Sequence, residues 1–144
     1  MENYLWLVYA LLSAVAAAMV SVFGKIGLQG LDAHTATAVR AVIMAAFLMA
    51  VAVFQRRWEH LPELWADKRA MTFILLSGVA GALSWLFYFT ALKYGKVSQV
   101  APVDKLSVVL AATAAVVFLQ ETVSAMSAAG IGLITAGIIL VALG

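Results

Sequence analysis

Five apolar runs separated by short polar connections organise the chain, at about 4–28, 35–54, 71–92, 98–119 and 126–143. The first is uncharged from Tyr4 to Gly24, which at ~1.5 Å rise per residue crosses a hydrocarbon core ~30 Å thick. In lipid each run must be a helix, because no water is present to satisfy an open backbone. The ~10-residue alternation of membrane β-strands is absent. The predicted fold is an all-α integral membrane protein of five transmembrane helices, with residues 1–144 forming one membrane domain. An odd number of spans puts the termini on opposite sides of the membrane.

Little chain is left between the runs. "QGLDAH", "KYGKV" and "QETVSA" are tight connections, and only Gln55 to Ala70 is longer. Trp58, Leu61 and Trp65 recur there at helical spacing among charges, which predicts a segment lying along the interface.

Composition supports this reading and removes others. With 65% hydrophobic and 11% charged residues, the chain has more apolar surface than a small soluble core could hide. The absence of cysteine removes disulfides, Cys-ligated metal and thiol chemistry. A net charge of +2 from scattered basic residues does not make a nucleic-acid surface. His34 and His60 stand in separate loops without ligand spacing, and no phosphate loop or HExxH is present. No enzyme activity, metal or cofactor is expected.

Several polar residues nevertheless fall inside the spans. Small residues recur at i+4 in span one (Ser13, Ala17, Ser21), and similar stripes in spans three, four and five let helices approach closely. Lys25 continues the first stripe, and Asp104 heads one formed with Ser107 and Ala111, so both face protein. Arg40 lies ~8 Å inside span two, and Trp85 and Tyr88 approach the same side along span three. Together these residues form an off-centre polar and aromatic layer.

Asp104 has two readings. If span four begins near Ser98, its carboxylate lies inside the membrane and is placed to pair with Arg40, since an unpaired ion there costs at least ~2.5 kcal/mol. If Pro102 opens the helix, Asp104 is a wet first-turn acid favoured by the helix dipole. Lys105, rotated ~100° from it, can reach the headgroups.

"FGKIGLQGLDAHTATAVRAVI", "SGVAGALSWLFYFTALKYGKVSQVAPVDKLSVVLAATAAVVFLQE" and "GIGLITAGIILVAL" resemble the EamA family of the drug/metabolite transporter superfamily. The resemblance runs from about Ala10 to Leu143. It is carried by Lys25 closing the first span, Arg40 early in the second, "YFTALKYG" ending the third and Glu121 closing the fourth. It implies one half of an inverted-repeat transporter fold, because longer members carry two such repeats in one chain. Two departures stand out. Gln120 occupies a place where the family commonly has Gly, and the pair Asp104–Lys105 stands where longer members tend to have Ser or Thr. The acid in mid-span one that marks the smaller four-span exporters is missing here.

The resemblance implies a secondary transporter, an exporter of a small metabolite such as an amino acid or related organic anion. Lys25, Arg40, Trp85, Tyr88, Asp104, Lys105 and Glu121 are the expected transport residues, with the surplus positive charge favouring a carboxylate or phosphate. Glu121 also reads as an interfacial loop acid. A single repeat cannot supply two-sided access by itself, so a homodimer in the bilayer is expected. Arg56, Arg57, Lys68 and Arg69 on one side nearly balance Lys25, Lys93 and Lys96 on the other, which favours antiparallel copies. The expected location is a bacterial or archaeal cell membrane. The alternatives are a non-transporting membrane subunit that packs with another protein, and a lipid-carrier flippase.

Overall fold

The computed structural model describes residues 4–144. The described chain is helical: α1 Leu5–Gly27, α2 Ala33–Phe54, a 3-10 turn Arg57–His60, α3 Leu61–Ala66, α4 Lys68–Tyr94, α5 Val97–Asp104, α6 Leu106–Phe118 and α7 Ala125–Leu143. Five spans long and apolar enough to cross a membrane result, from α1, α2, α4, the Val97–Phe118 segment and α7. Their surfaces stay almost wholly exposed, with Leu11, Phe47, Leu75, Leu110 and Leu133 among the large apolar side chains facing outward. Such surface suits hydrocarbon and is untenable in water.

Local chemistry fixes the helix ends. Asp32 caps α2 by accepting from the Thr35 N–H at 2.8 Å, and Ser124 caps α7 by accepting from the Ser127 N–H at 3.1 Å. Asp67 accepts from the Ala70 N–H at 3.0 Å, which starts α4 ahead of the expected Met71. Within the spans, hydroxyls donate to the carbonyl one turn back: Thr37 to Ala33 at 2.7 Å, Thr90 to Leu86 at 2.7 Å and Thr113 to Val109 at 2.8 Å. Each polar group is thereby satisfied within its own helix, as lipid demands. Between Gln55 and Ala70 the tryptophans and Leu61 fall on short helical turns, as their spacing predicts.

Span four departs from expectation. In place of one helix over 98–119 there are two, α5 and α6, broken at Lys105. Pro102 lies inside α5, where it has no N–H for the Ser98 carbonyl and its ring crowds that carbonyl. The chain tightens just beyond: the Lys105 N–H donates to the Pro102 carbonyl at 3.0 Å, and the Val108 N–H to the Lys105 carbonyl at 2.9 Å. Because the helix begins at Val97, Asp104 is not in a first turn, and the first-turn reading is set aside. At the far end, Gln120 adopts φ 57, while the Leu119 and Glu121 N–H groups both donate to the Ala115 carbonyl. A left-handed position suits Gly, the residue that the resemblance leads one to expect there, and Gln120 holds it instead.

The chain divides into two compact units. In the unit Tyr94–Gly144 with the segment ending at Val22, α7 packs along α5 and α6 and buries Ile138. In the unit Phe23–Lys93, the buried residues are Leu28, Ala33, Thr37, Tyr88, Phe89 and Leu92. They fall where the end of α1, the start of α2 and the end of α4 converge.

Candidate functional site

Asp32 caps the start of α2, and about two turns later Arg40 faces α4. On α4, Trp85, Tyr88 and Phe89 stand at i, i+3 and i+4, one face of the helix. The Arg40 guanidinium carbon sits 3.8 Å from the centroid of Trp85 and 4.8 Å from that of Phe89. The rings brace one another: Trp85 meets Tyr88 edge-on at 5.9 Å and Phe89 at 5.7 Å with a tilt of 35°. Tyr88 and Phe89 are edge-on at 5.9 Å.

Energetics distinguish what this arrangement does from what it leaves undone. An arginine within a span costs ~2.5–3.5 kcal/mol on insertion scales. Stacking on an aromatic face returns ~0.5–2 kcal/mol. The rings orient the guanidinium without cancelling its charge. No carboxylate of the Phe23–Lys93 unit forms an ion pair with it.

The first helix is locked to the same face of α4. The Lys25 ammonium donates to the Leu92 carbonyl, a favourable place for a cation at a helix C-terminus. One residue earlier, Gly24 lies so close to the Phe89 ring that a Cβ there would overlap it. Phe89 is 3% exposed and has little room to yield. Lys25, Leu92 and Asp32 also line an open cleft at this end of the unit.

Asp104 and Lys105 lie in the other unit at the break between α5 and α6. Their side chains pair with each other, the Lys105 Nζ standing 3.2 Å from Asp104 Oδ2. Lys105 therefore turns toward its neighbour rather than only toward the headgroups. Glu121 is exposed beyond α6, held through its backbone N–H.

Of the residues expected from sequence, the structure brings Arg40, Trp85 and Tyr88 into one cluster, places Lys25 at its helix end, and pairs Asp104 with Lys105. Trp85 presents a face to Arg40. Phe89 and Gly24 were not anticipated. Phe89 shared the i+4 face of Trp85, which was a usable signal; the closeness of Gly24 to it is a packing fact with none. Among the described residues, no group of three His, Cys, Asp or Glu side chains could hold a metal ion.

A family model described as the EamA-like transporter family matches residues 4–143. A protein of Sinorhizobium sp. named as an uncharacterized transporter in the cobO 3′ region is 39% identical over 137 residues, covering 95% of this chain and 96% of that protein. No solved structure matches the chain.

Proposed function

The chain belongs to the EamA-like transporter family, and from that premise we propose that it is a secondary transporter exporting a small carboxylate-bearing metabolite, such as an amino acid or related organic anion. It is a multi-pass membrane protein, and the reading places it in a prokaryotic cell membrane. The observation that carries the substrate class is the Arg40 guanidinium. It is half-buried in a span, laid on Trp85 at 3.8 Å, and without a carboxylate partner in its own unit. A substrate anion can approach the edge of the guanidinium while the rings keep its face, so that recognition is geometric as well as electrostatic.

Two copies are needed. Five spans make one repeat, and alternating access in such folds rests on two repeats rocking about a shared site. The Sinorhizobium relative is matched over 96% of its length by these spans, which supports one repeat as the unit that is copied. The near-balanced Lys and Arg counts of the two sides support an antiparallel homodimer, with each copy supplying the repeat the other lacks.

Thermal stabilisation of the purified protein by amino acids and small organic acids tests the site. Stabilisation by carboxylates that disappears in Arg40→Gln supports it; equal stabilisation of both proteins counts against Arg40 as the anion site. Lysine pairs added at the N-terminus or beside Lys96 should bias orientation in opposite senses. Each biased variant should be inactive alone and active when mixed, whereas full activity of either one alone would rule out the antiparallel assembly.

A further inference from the structure

The unit Phe23–Lys93 holds an open cleft of about 490 Å³, walled by the end of α1, the α1–α2 loop and the end of α4. The loop turns at Gly30, whose φ of 75 suits glycine, and is tied down by the Asp32 cap on α2. Leu28 and Leu92, both buried, form an apolar floor. Along the same face of α4, Trp85 stands seven residues from Leu92, ~10 Å along the axis, with the buried Phe89 between them. The cleft is therefore separate from the Arg40 stack.

Its rim carries charges of both signs. Lys25 and Lys93 contribute ammonium groups, and Asp32 a carboxylate. Asp32 accepts both bonds from Thr35 on one oxygen, Oδ2, at 2.8 Å and 3.0 Å, which leaves Oδ1 for another donor. These bonds, with a smaller contribution from Lys93, hold the Asp32 pKa below its ordinary value, so the group stays anionic at neutral pH. Lys93 and Asp32 line one cleft and form no ion pair with each other. Opposite charges presented side by side over an apolar floor complement a ligand that carries both signs itself.

We propose that this cleft is an outer binding site for a small zwitterion, its carboxylate or phosphate held by Lys93 and Lys25 and its ammonium by Asp32 Oδ1. The chemistry is shared by a free amino acid arriving from water and by the ammonium-bearing headgroup of a phospholipid. Both can reach a cleft at the membrane end of α1 and α4. The site goes beyond the transport reading, since nothing in it depends on the Arg40 stack.

The native chain has no cysteine, so Gln29→Cys on the cleft wall gives one reactive thiol. Its labelling rate by a methanethiosulfonate reagent is measured on the full chain in detergent and in nanodiscs. Glycine is the zwitterionic probe, with acetate and ethylammonium as single-charge controls. Glycine should slow labelling about tenfold when present at about ten times its Kd, and neither control should match it at equal concentration. Asp32→Asn keeps the cap, because Asn caps as well as Asp, and Lys93→Gln removes the charge while keeping a polar side chain one atom shorter; each should abolish glycine's protection. Protection in phosphatidylethanolamine nanodiscs but not phosphatidylglycerol ones, with none from glycine, would assign the site to a lipid headgroup. Protection should persist in Arg40→Gln, and since no transport is read, a negative result leaves the transport reading untouched. Labelling unaffected by any probe or lipid, or protection lost in Arg40→Gln and kept in Asp32→Asn, would overturn the assignment.

Discussion

Trp85→Leu and Arg40→Met, made singly and together, test whether the indole holds the guanidinium in place. The guanidinium carbon is 3.8 Å from the Trp85 centroid and 4.8 Å from that of Phe89. Cation–π contacts contribute ~0.5–1 kcal/mol at exposed sites and ~2 kcal/mol when desolvated. For a half-buried arginine whose nearer ring is Trp85, the expected contribution is ~1 kcal/mol. Trp85→Leu also forfeits the contacts to Tyr88 at 5.9 Å and Phe89 at 5.7 Å, each ~0.5–1.5 kcal/mol. The single variant should therefore lose ~2–4 kcal/mol in all. Arg40→Met removes the stacking but also the ~2.5–3.5 kcal/mol cost of placing an arginine in a span, and should be neutral or stabilising. The ring–ring losses cancel in the cycle, leaving a coupling of ~1 kcal/mol between the two positions. Reversible unfolding in mixed micelles, followed by circular dichroism because Trp85 is one of four tryptophans, gives the four free energies. A coupling below ~0.3 kcal/mol would show that the ring does not hold the guanidinium.

Three further outcomes follow from the backbone and the caps. Gln120→Gly relieves a left-handed residue at φ 57, a conformation that costs an L-residue ~1–2 kcal/mol, and after glycine's own entropy loss it should stabilise the protein by ~0.5–1 kcal/mol; a lowered unfolding midpoint would contradict this. Gly24→Ala inserts a methyl against the Phe89 ring and should destabilise by ~1–3 kcal/mol, with Phe89→Leu in the same chain recovering part of the loss. Thr35 holds the Asp32 carboxylate below its ordinary pKa. A group depressed in the folded state contributes stability above its unfolded pKa of about 4 and loses it as pH falls through the lower folded value. Asp32→Asn should flatten stability against pH in that acidic window, lying slightly below the native chain near neutrality and converging with it at acid pH, and an unchanged acid limb would refute the assignment.

The spans were legible because lipid leaves the backbone no alternative to helix, so that apolar length alone places α1, α2 and α7 to within a few residues. The interfacial turns around Trp58 and Trp65 were legible from spacing. The break in span four was not. Pro102 was visible in the sequence, but a proline in a first turn and one inside a helix look alike until the N-terminus is placed, and Val97 lies upstream of both readings. Arg40 and Trp85 were each visible by depth, yet their contact depends on the relative rotation of α2 and α4. Hydropathy carries no trace of that rotation. Gln120 was visible as a departure from Gly, and its meaning came only with its backbone angle.

Solute counterflow in proteoliposomes tests the central claim most directly. Vesicles loaded with an unlabelled carboxylate that stabilises the purified protein, diluted into trace labelled solute, should accumulate label transiently with the native chain. With Arg40→Gln reconstituted to the same density, accumulation should fall to the level of empty vesicles. Accumulation by Arg40→Gln equal to the native chain, or none by the native chain with any solute that stabilises it, would contradict the account.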